Sequence, residues 1–394
     1  MNFNFNLSSS VIIALATCLI LLIYIIIVYV RRIRRVTRAV NSDTTDGQEP
    51  TDPMTMLPAS VIVYAQAQSS WLEELLPGLL AQDYPAGFEV IVVNDGASEA
   101  TRDLVENLAL AYPNLYLTYT PDGARNLSRK KLGITIGIKA AKHDVVVMTD
   151  AATIIDSPLW LQHIMANYND SACDVVLGYA YMSDGDKGLG KRRRAFDFVA
   201  DSVTWLTSAL AGKPYRGTQY NIAYTRDLFF NNKGFSRSLN LENGDDDIFI
   251  SEIARPYNTV VELSTDSMVM ANYRDHTAAT SDSRHRHHFT GARVSKTSRR
   301  IQASGEWALW LMLLAGLAGV YLSGFNLFAI GIAALLFIIA IITVTATWRG
   351  AMKALKGRRL LFSLPWLIFT RPVRNLKLAI SMKLRRTNYY TWKK

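Results

Sequence analysis

Two unbroken apolar runs frame the chain: residues 90–93, which end in Asn94-Asp95-Gly96, and residues 145–148, which end in Thr149-Asp150-Ala151. Continuous β-branched runs bounded by turn residues predict strands covered on both faces, as in a parallel α/β sheet. Ligands of such sheets gather at the carboxyl ends of the strands, so Asp95 and Asp150 are expected to point into one crevice. Around them the pattern alternates. It predicts strands over 60–64, 89–93, 115–118 and 144–148, and helices over 71–82, 101–112 and 130–142. With right-handed crossovers that order builds a doubly wound sheet. Beyond Pro158 the pattern is less regular and predicts a strand over 174–181, a helix over 194–210 and the start of another within 244–253.

Three longer apolar stretches change the picture. Residues 11–30 form one of about the ~20 residues needed to cross a bilayer. A cleaved signal peptide has a basic start, whereas residues 1–10 carry no charge and the run ends in Arg31, Arg32, Arg34 and Arg35, which predicts an anchor with its basic end inside. Residues 307–348, broken at Ser323-Gly324-Phe325-Asn326, predict a hairpin of two further spans. Lys296, Arg299 and Arg300 before it and Arg349, Lys353, Lys356, Arg358 and Arg359 after it put both hairpin ends, and the large middle region, on the cytoplasmic side. The expected domains are an anchor over 1–35, a polar linker over 36–56, two halves of a globular domain over 57–158 and 159–300, the hairpin over 301–350, and a basic amphipathic tail over 351–394 that lies in the interface.

Composition agrees. With 394 residues, 19% of them charged, and a mean hydropathy of +0.09, the chain is long enough for a sizeable core and too apolar to be soluble throughout. The net charge of +10 is concentrated beside the apolar segments and suits an anionic bilayer surface, where each basic residue contributes about 1 kcal/mol. There is no nucleic-acid motif. Cys18 and Cys173 are too isolated for a disulfide or a zinc site and fit a reducing cytosol.

Four segments in order, "VIVVNDGAS", "SRKKLGITIGIKAAKHDVVVMTDAA", "GTQYNIAYTRDLFFNNKGF" and "ENGDDDIFISEIA", resemble the signatures of the inverting family 2 glycosyltransferases, over about 59–255. The resemblance implies an α/β, Rossmann-like GT-A nucleotide-sugar transferase domain with flanking transmembrane helices, 57–158 being the nucleotide-sugar half and 159–300 the acceptor half. The flanking helices are similar to those of bacterial membrane members, which implies an inner-membrane enzyme with its catalytic domain in the cytoplasm.

The chemistry implied falls on few residues. Asp95 would accept a hydrogen bond from a base ring nitrogen, with Asn94 beside it and Tyr64 on the facing strand; the alternative is a plain tight turn. Asp150 would bind a divalent cation, Mg²⁺ or Mn²⁺, that neutralises the departing diphosphate. Here the chain departs from the family, because the second acid of D-x-D is replaced by Ala152. Asp156 is a substitute carboxylate or a cap before Pro158, and Lys130, with Arg129 and Lys131, either balances diphosphate charge or starts a solvated helix. Asp245, Asp246 and Asp247 hold the candidate base, Asp246 first and Asp245 its rival, since packed like charges raise one another's pKa; they also suit a helix N-terminus. Asn221 belongs to the acceptor segment. Between 284 and 293 lies "RHRHHFTGAR", whose Arg284, His285, Arg286, His287 and His288 are expected at an acceptor or diphosphate, or at the bilayer surface as a loop; the family's Q-x-x-R-W motif is absent.

Together these features predict transfer from a nucleotide-sugar donor to a membrane lipid or lipid-linked saccharide. The alternatives are a polysaccharide synthase, disfavoured by so few spans, and a non-catalytic scaffold on a degenerate transferase fold, which Ala152 supports and Asp95 and the triple aspartate oppose. Donor base, sugar, linkage and oligomeric state stay open at this level.

Overall fold

The computed structural model describes residues 8–45, 56–66, 68–121, 123, 127–183, 188–272, 276–360 and 362–384. In chain order, α1 (Ser9–Tyr24) runs through a π-helical turn (Ile25–Val30) into α2 (Arg31–Thr45). The first α/β stretch follows: β1 (Ala59–Gln66), α3 (Ser69–Leu80), β2 (Phe88–Asp95), α4 (Glu99–Ala109), β3 (Leu115–Tyr119), α5 (Arg129–Ala140) and β4 (Val145–Asp150). Next come β5 (Thr153–Ile154), α6 (Trp160–Ala166), β6 (Val175–Leu177), β7 (Ala180–Met182), α7 (Leu189–Ala209), β8 (Ile222–Thr225), α8 (Arg226–Asn231), α9 (Ile248–Ile253), β9 (Thr259–Val261) and β10 (Val269–Ala271). The last elements are α10 (His276–Thr290), α11 (Thr297–Leu322), α12 (Leu327–Ala354) and α13 (Leu364–Leu384).

The chain divides into two compact units, one from Met1–Arg38, Asp186–Thr207 and Lys296–Ser381, the other from Ala39–Gly185, Ser208–Ser295 and Met382–Lys394. In the second unit a seven-stranded sheet has the order β3-β2-β1-β4-β8-β6-β9, and β5, β10 and β7 form a small one. The strands β3, β2, β1 and β4 are mutually parallel. Antiparallel β8 joins them to β6. β1 and β2 are buried along almost their whole length, as continuous apolar runs require. Because β1 lies between β2 and β4, with Gln66 opposite Asp95 and Tyr64 opposite Asp150, both acids end strands at one edge of the sheet. The strand expected over 174–181 is broken in two: a Cβ at Gly178 would lie 2.4 Å from the Asn221 side chain. β6 then stays in the large sheet while β7 joins the small one.

The first unit contains the helices long and apolar enough to cross a membrane: the continuous run Ser9–Ser42, α11 and α12. Its π-helical turn and α11 approach closely, since a Cβ at Gly305 would meet the Tyr29 ring at 2.4 Å. The Tyr29 hydroxyl accepts from Trp348 Nε1 at 3.0 Å, and Arg32 donates to Thr207 Oγ1 at 2.8 Å and Ser298 Oγ at 2.6 Å. Two expectations change here. α2 runs on to Thr45, into the segment read as an unstructured linker. The tail is more than an amphipathic surface strip, because α13 buries Leu367, Ile368 and Arg371. Arg371 pairs with Glu306, with Asp201 at 2.6 Å and with Asp197 at 3.8 Å, and Arg374 pairs with Asp197 at 2.7 Å. The rest of the linker, 46–55, and the end of the tail, 385–394, lie outside the described residues.

Candidate active site

Asp95 ends β2 fully buried. Its Oδ2 accepts from the Tyr64 hydroxyl at 2.5 Å, and its Oδ1 accepts from Arg129 Nε at 2.8 Å and Nη2 at 2.5 Å. Burial, then the adjoining Asp95 carboxylate, push the Tyr64 phenol well above its ordinary range. Asn94 builds the turn: its Nδ2 donates to the Ser98 carbonyl at 2.9 Å, and its Oδ1 accepts from Ser98 N at 3.2 Å. Gly96 takes φ +87° at the corner. The turn reading is met at Asn94 and Gly96, and Asp95 beside them is held by Tyr64 and Arg129.

The first turn of α5 faces these acids. Ser128 caps it, accepting from Lys131 N at 3.3 Å. The helix can ride close to β1 because Gly133 and Gly137 leave room; a Cβ would lie 2.9 Å from the Tyr64 ring at the first and 2.7 Å from Ile62 at the second. Lys130 Nζ reaches Asp245 Oδ2 at 2.8 Å, Gln219 Oε1 at 2.7 Å and Asp150 Oδ2 at 4.0 Å. Burial pushes its ammonium down, yet Asp245 and Asp150 outweigh that and leave its pKa raised. Asp150 also accepts from Ala152 N at 3.0 Å. Tyr64, Lys130, Asp150, Gln219, Asp245 and Asp246 line one pocket.

The three consecutive aspartates do different things. Asp245 pairs with Lys130. Asp246 accepts from His287 Nε2 at 3.2 Å, while Arg216 Nη2 stands 3.0 Å from His287 Nδ1. A guanidinium only donates, so Nδ1 must accept and the imidazole proton sits on Nε2, facing Asp246. Burial pushes the Asp246 carboxyl up, but His287, Arg216 and Arg286 outweigh it and hold it well below the usual carboxylate range. Asp247 is the N-cap of α9, accepting from Ile248 N at 2.6 Å, and it also accepts from the Thr290 hydroxyl. Burial and then the Asp246 charge raise its pKa.

The structure thus brings Tyr64, Asp95, Lys130, Asp150 and the acidic triplet together, with Arg286 alongside, donating to Asn243 Oδ1 at 3.2 Å. Asn221 is elsewhere. It is fully buried, its Nδ2 donating to the carbonyls of Tyr179 at 3.2 Å and Ser267 at 2.8 Å and its Oδ1 accepting from Trp160 at 3.2 Å, so it is a packing residue behind the sheet. The basic stretch expected as a surface loop is helical. By helical phase Arg286, His287 and Thr290 share the face toward the acids, and Arg284 and His288 fall on another. Thr290, Arg216 and Gln219 are the site residues that sequence reasoning missed; a helical reading of 276–290 would have picked out the first and singled out His287 among the histidines.

Two places in the site bear on a divalent cation. At Asp150 the donor set is thin, since Ala152 supplies no carboxylate and the Lys130 ammonium already stands 4.0 Å away. Asp246, Asp247 and His287 offer two carboxylates and an imidazole whose ligand atoms lie within 4.8 Å of one another, a set consistent with a divalent cation once Arg216 turns away and the imidazole proton passes from Nε2 to Nδ1.

A parallel sheet prolonged by an antiparallel strand, with acids gathered beyond its carboxyl edge, is the architecture of a GT-A transferase. Residues 60–241 match the family model Glycosyl transferase family 2, and that segment is a glycosyltransferase domain of the family. Among solved structures it is similar to the mannosyltransferase PcManGT from Pyrobaculum calidifontis, solved in complex with GDP-Man and Mn²⁺. The two are 18% identical with a TM-score of 0.53, over 92% of this chain and 99% of that one. TarS of S. aureus, as a 1–349 fragment, is 17% identical with a TM-score of 0.39, over 83% of this chain and 90% of that one. At 18% identity the likeness to the mannosyltransferase is one of fold.

Proposed function

We propose that this glycosyltransferase moves a sugar, with inversion at the anomeric carbon, from a nucleotide-sugar to a lipid-linked saccharide or glycolipid on the cytoplasmic face of a bacterial inner membrane. One observation carries the reading: Tyr64, Lys130, Asp150, Asp245 and Asp246 line a single pocket at the carboxyl edge of the parallel strands. Asp95, with Tyr64 and Arg129, belongs to the side that grips base and ribose, and Lys130 balances charge on the diphosphate. Asp246 takes the proton of the acceptor hydroxyl; the cationic neighbours that keep it ionised also weaken it as a base, against the raised pKa expected of the packed triplet. The acceptor oxygen then bonds to the anomeric carbon as the bond to the diphosphate oxygen breaks, and the nucleoside diphosphate leaves. Mg²⁺ or Mn²⁺, when bound by Asp246, Asp247 and His287, supplies positive charge near the diphosphate. In that arrangement Asp245 is the proton acceptor, and 57–158 and 159–300 serve as donor and acceptor halves.

The lipid acceptor is supported by architecture: three helices fit to cross a membrane, flanked by basic residues. The scaffold reading is favoured only by Ala152. Calorimetric titration of the purified protein with UDP, GDP and CMP, each with and without Mn²⁺, separates the two. Binding of one nucleotide, followed by turnover of its sugar donor on a membrane-lipid extract, is the expected result. Absence of binding to all three would overturn the transferase reading.

A further inference from the structure

Beside Lys130 stands a second lysine that the proposed reaction does not use. Lys131 is fully buried. A buried ammonium is costly unless its donors are met, and no carboxylate among the described residues lies within ion-pair distance of it. Its Nζ instead donates to the Ser238 carbonyl at 2.6 Å, the Asn243 carbonyl at 2.9 Å, Ser238 Oγ at 3.1 Å and the Leu241 carbonyl at 3.2 Å. These groups belong to a segment outside β1–β10, whose carbonyls need donors from elsewhere. Ser128 holds the same segment, its N donating to the Leu239 carbonyl at 2.9 Å and its Oγ to the Glu242 carbonyl at 2.9 Å.

We propose that Lys131 is a positioning residue that ties the first turn of α5 to the 238–243 segment and thereby places Asp245, Asp246 and Asp247 opposite Lys130. Three successive side chains of one helical turn then hold three parts of the site. Arg129 takes Asp95, Lys130 takes Asp245 near Asp150, and Lys131 takes the backbone that leads into the triplet. The segment enters the triplet at Gly244, where φ is +115° and a Cβ would meet the Ile248 side chain at 2.8 Å, so the turn into Asp245 is one that glycine fits. A displacement of about 1 Å at reacting groups costs on the order of 100-fold in rate. A residue that touches no substrate can therefore govern turnover.

The test uses the full-length protein in detergent and the variants Lys131→Met and Lys131→Gln. In Lys131→Met, amide hydrogen exchange across 238–247 should rise on the order of tenfold while 88–95 is unchanged. Nucleotide affinity should hold, and kcat should fall on the order of 100-fold with donor KM nearly constant. Lys131→Gln keeps N–H donors for the carbonyls and should recover part of both effects. Unchanged exchange in a folded Lys131→Met protein would overturn the proposal. So would a general rise in exchange with a parallel loss of nucleotide binding, which marks plain support of the fold. Should Lys131→Met fail to fold, Ser128→Ala, which removes the tie to Glu242 together with the α5 cap at Lys131 N, gives a smaller rise in exchange across 238–247 if the proposal holds and, if it does not, none beyond the fraying of α5. The kinetic arm rests on the proposed transfer reaction. The exchange arm does not, so a protein that turns over no donor would refute that reaction and leave the positioning claim to be decided by exchange alone.

Discussion

Replacing Arg371 with Met tests whether α13 is locked by charge. Arg371 is 3% exposed and Glu306 is 2% exposed. With the guanidinium gone, Glu306 keeps only Gln302 Nε2 at 3.2 Å and Asn375 Nδ2 at 3.4 Å, two neutral donors for a buried carboxylate. Asp197 retains Arg374 at 2.7 Å. Asp201 is 34% exposed at its side chain and can turn to water. The loss therefore falls on one uncompensated charge, which costs about 3–5 kcal/mol. Changing Glu306 to Gln in the same chain removes that charge, so the double variant should be more stable than Arg371→Met alone by a good part of the loss. Equilibrium unfolding in mixed micelles, followed by tryptophan fluorescence, measures the single variants and the pair as a double-mutant cycle. A loss below about 1 kcal/mol for Arg371→Met, or strict additivity in the pair, would refute the reasoning.

Further outcomes concern the other unit. Asp246→Asn should abolish sugar transfer while leaving nucleotide binding within about twofold, read by paired turnover and calorimetry; retained turnover would assign proton removal to Asp245. Gly137→Ala should cost about 1–3 kcal/mol in the same unfolding assay, because the new Cβ lies 2.7 Å from Ile62 and 3.0 Å from Val93. Burial lowers the Lys131 ammonium from 10.5 to about 8, so between those values the unfolded chain binds a proton that the folded chain does not. Its contribution to stability then rises with pH across that window and is flat below about 8, and subtracting the pH profile of Lys131→Met should isolate the rise.

The donor side of the fold was legible because β1, β2 and β4 are buried on both faces, and a strand with no polar face announces itself as an unbroken apolar run. Asp95, Lys130 and Asp150 could be named because they sit where such strands end or the next helix starts. The acceptor side was harder for identifiable reasons. Gly178 divides one apolar run between two sheets, a break set by the Asn221 side chain it packs against and invisible in either residue alone. Asn221 has the residue type of a ligand, but three buried groups consume its amide. In 284–290 the basic residues were evident, and the helical phase that selects His287 over His288 was not, since α10 has almost no apolar positions to set a period.

The membrane-helix unit is assembled from Met1–Arg38, Asp186–Thr207 and Lys296–Ser381, with the transferase unit's segments threaded between. During synthesis α1 therefore waits for its partner helices. At ~5–20 residues per second, the interval between its emergence and that of α13 is roughly 20–70 s. All of Ala39–Gly185 and Ser208–Ser295 leaves the ribosome inside that interval. The two long segments of the transferase unit can thus fold before α11 arrives to cover Tyr29 and before Arg371 arrives to neutralise Glu306. The order of emergence makes α13 the closing piece, and a chain stopped short of it would carry Glu306 without its guanidinium partner, a defect confined to the bundle.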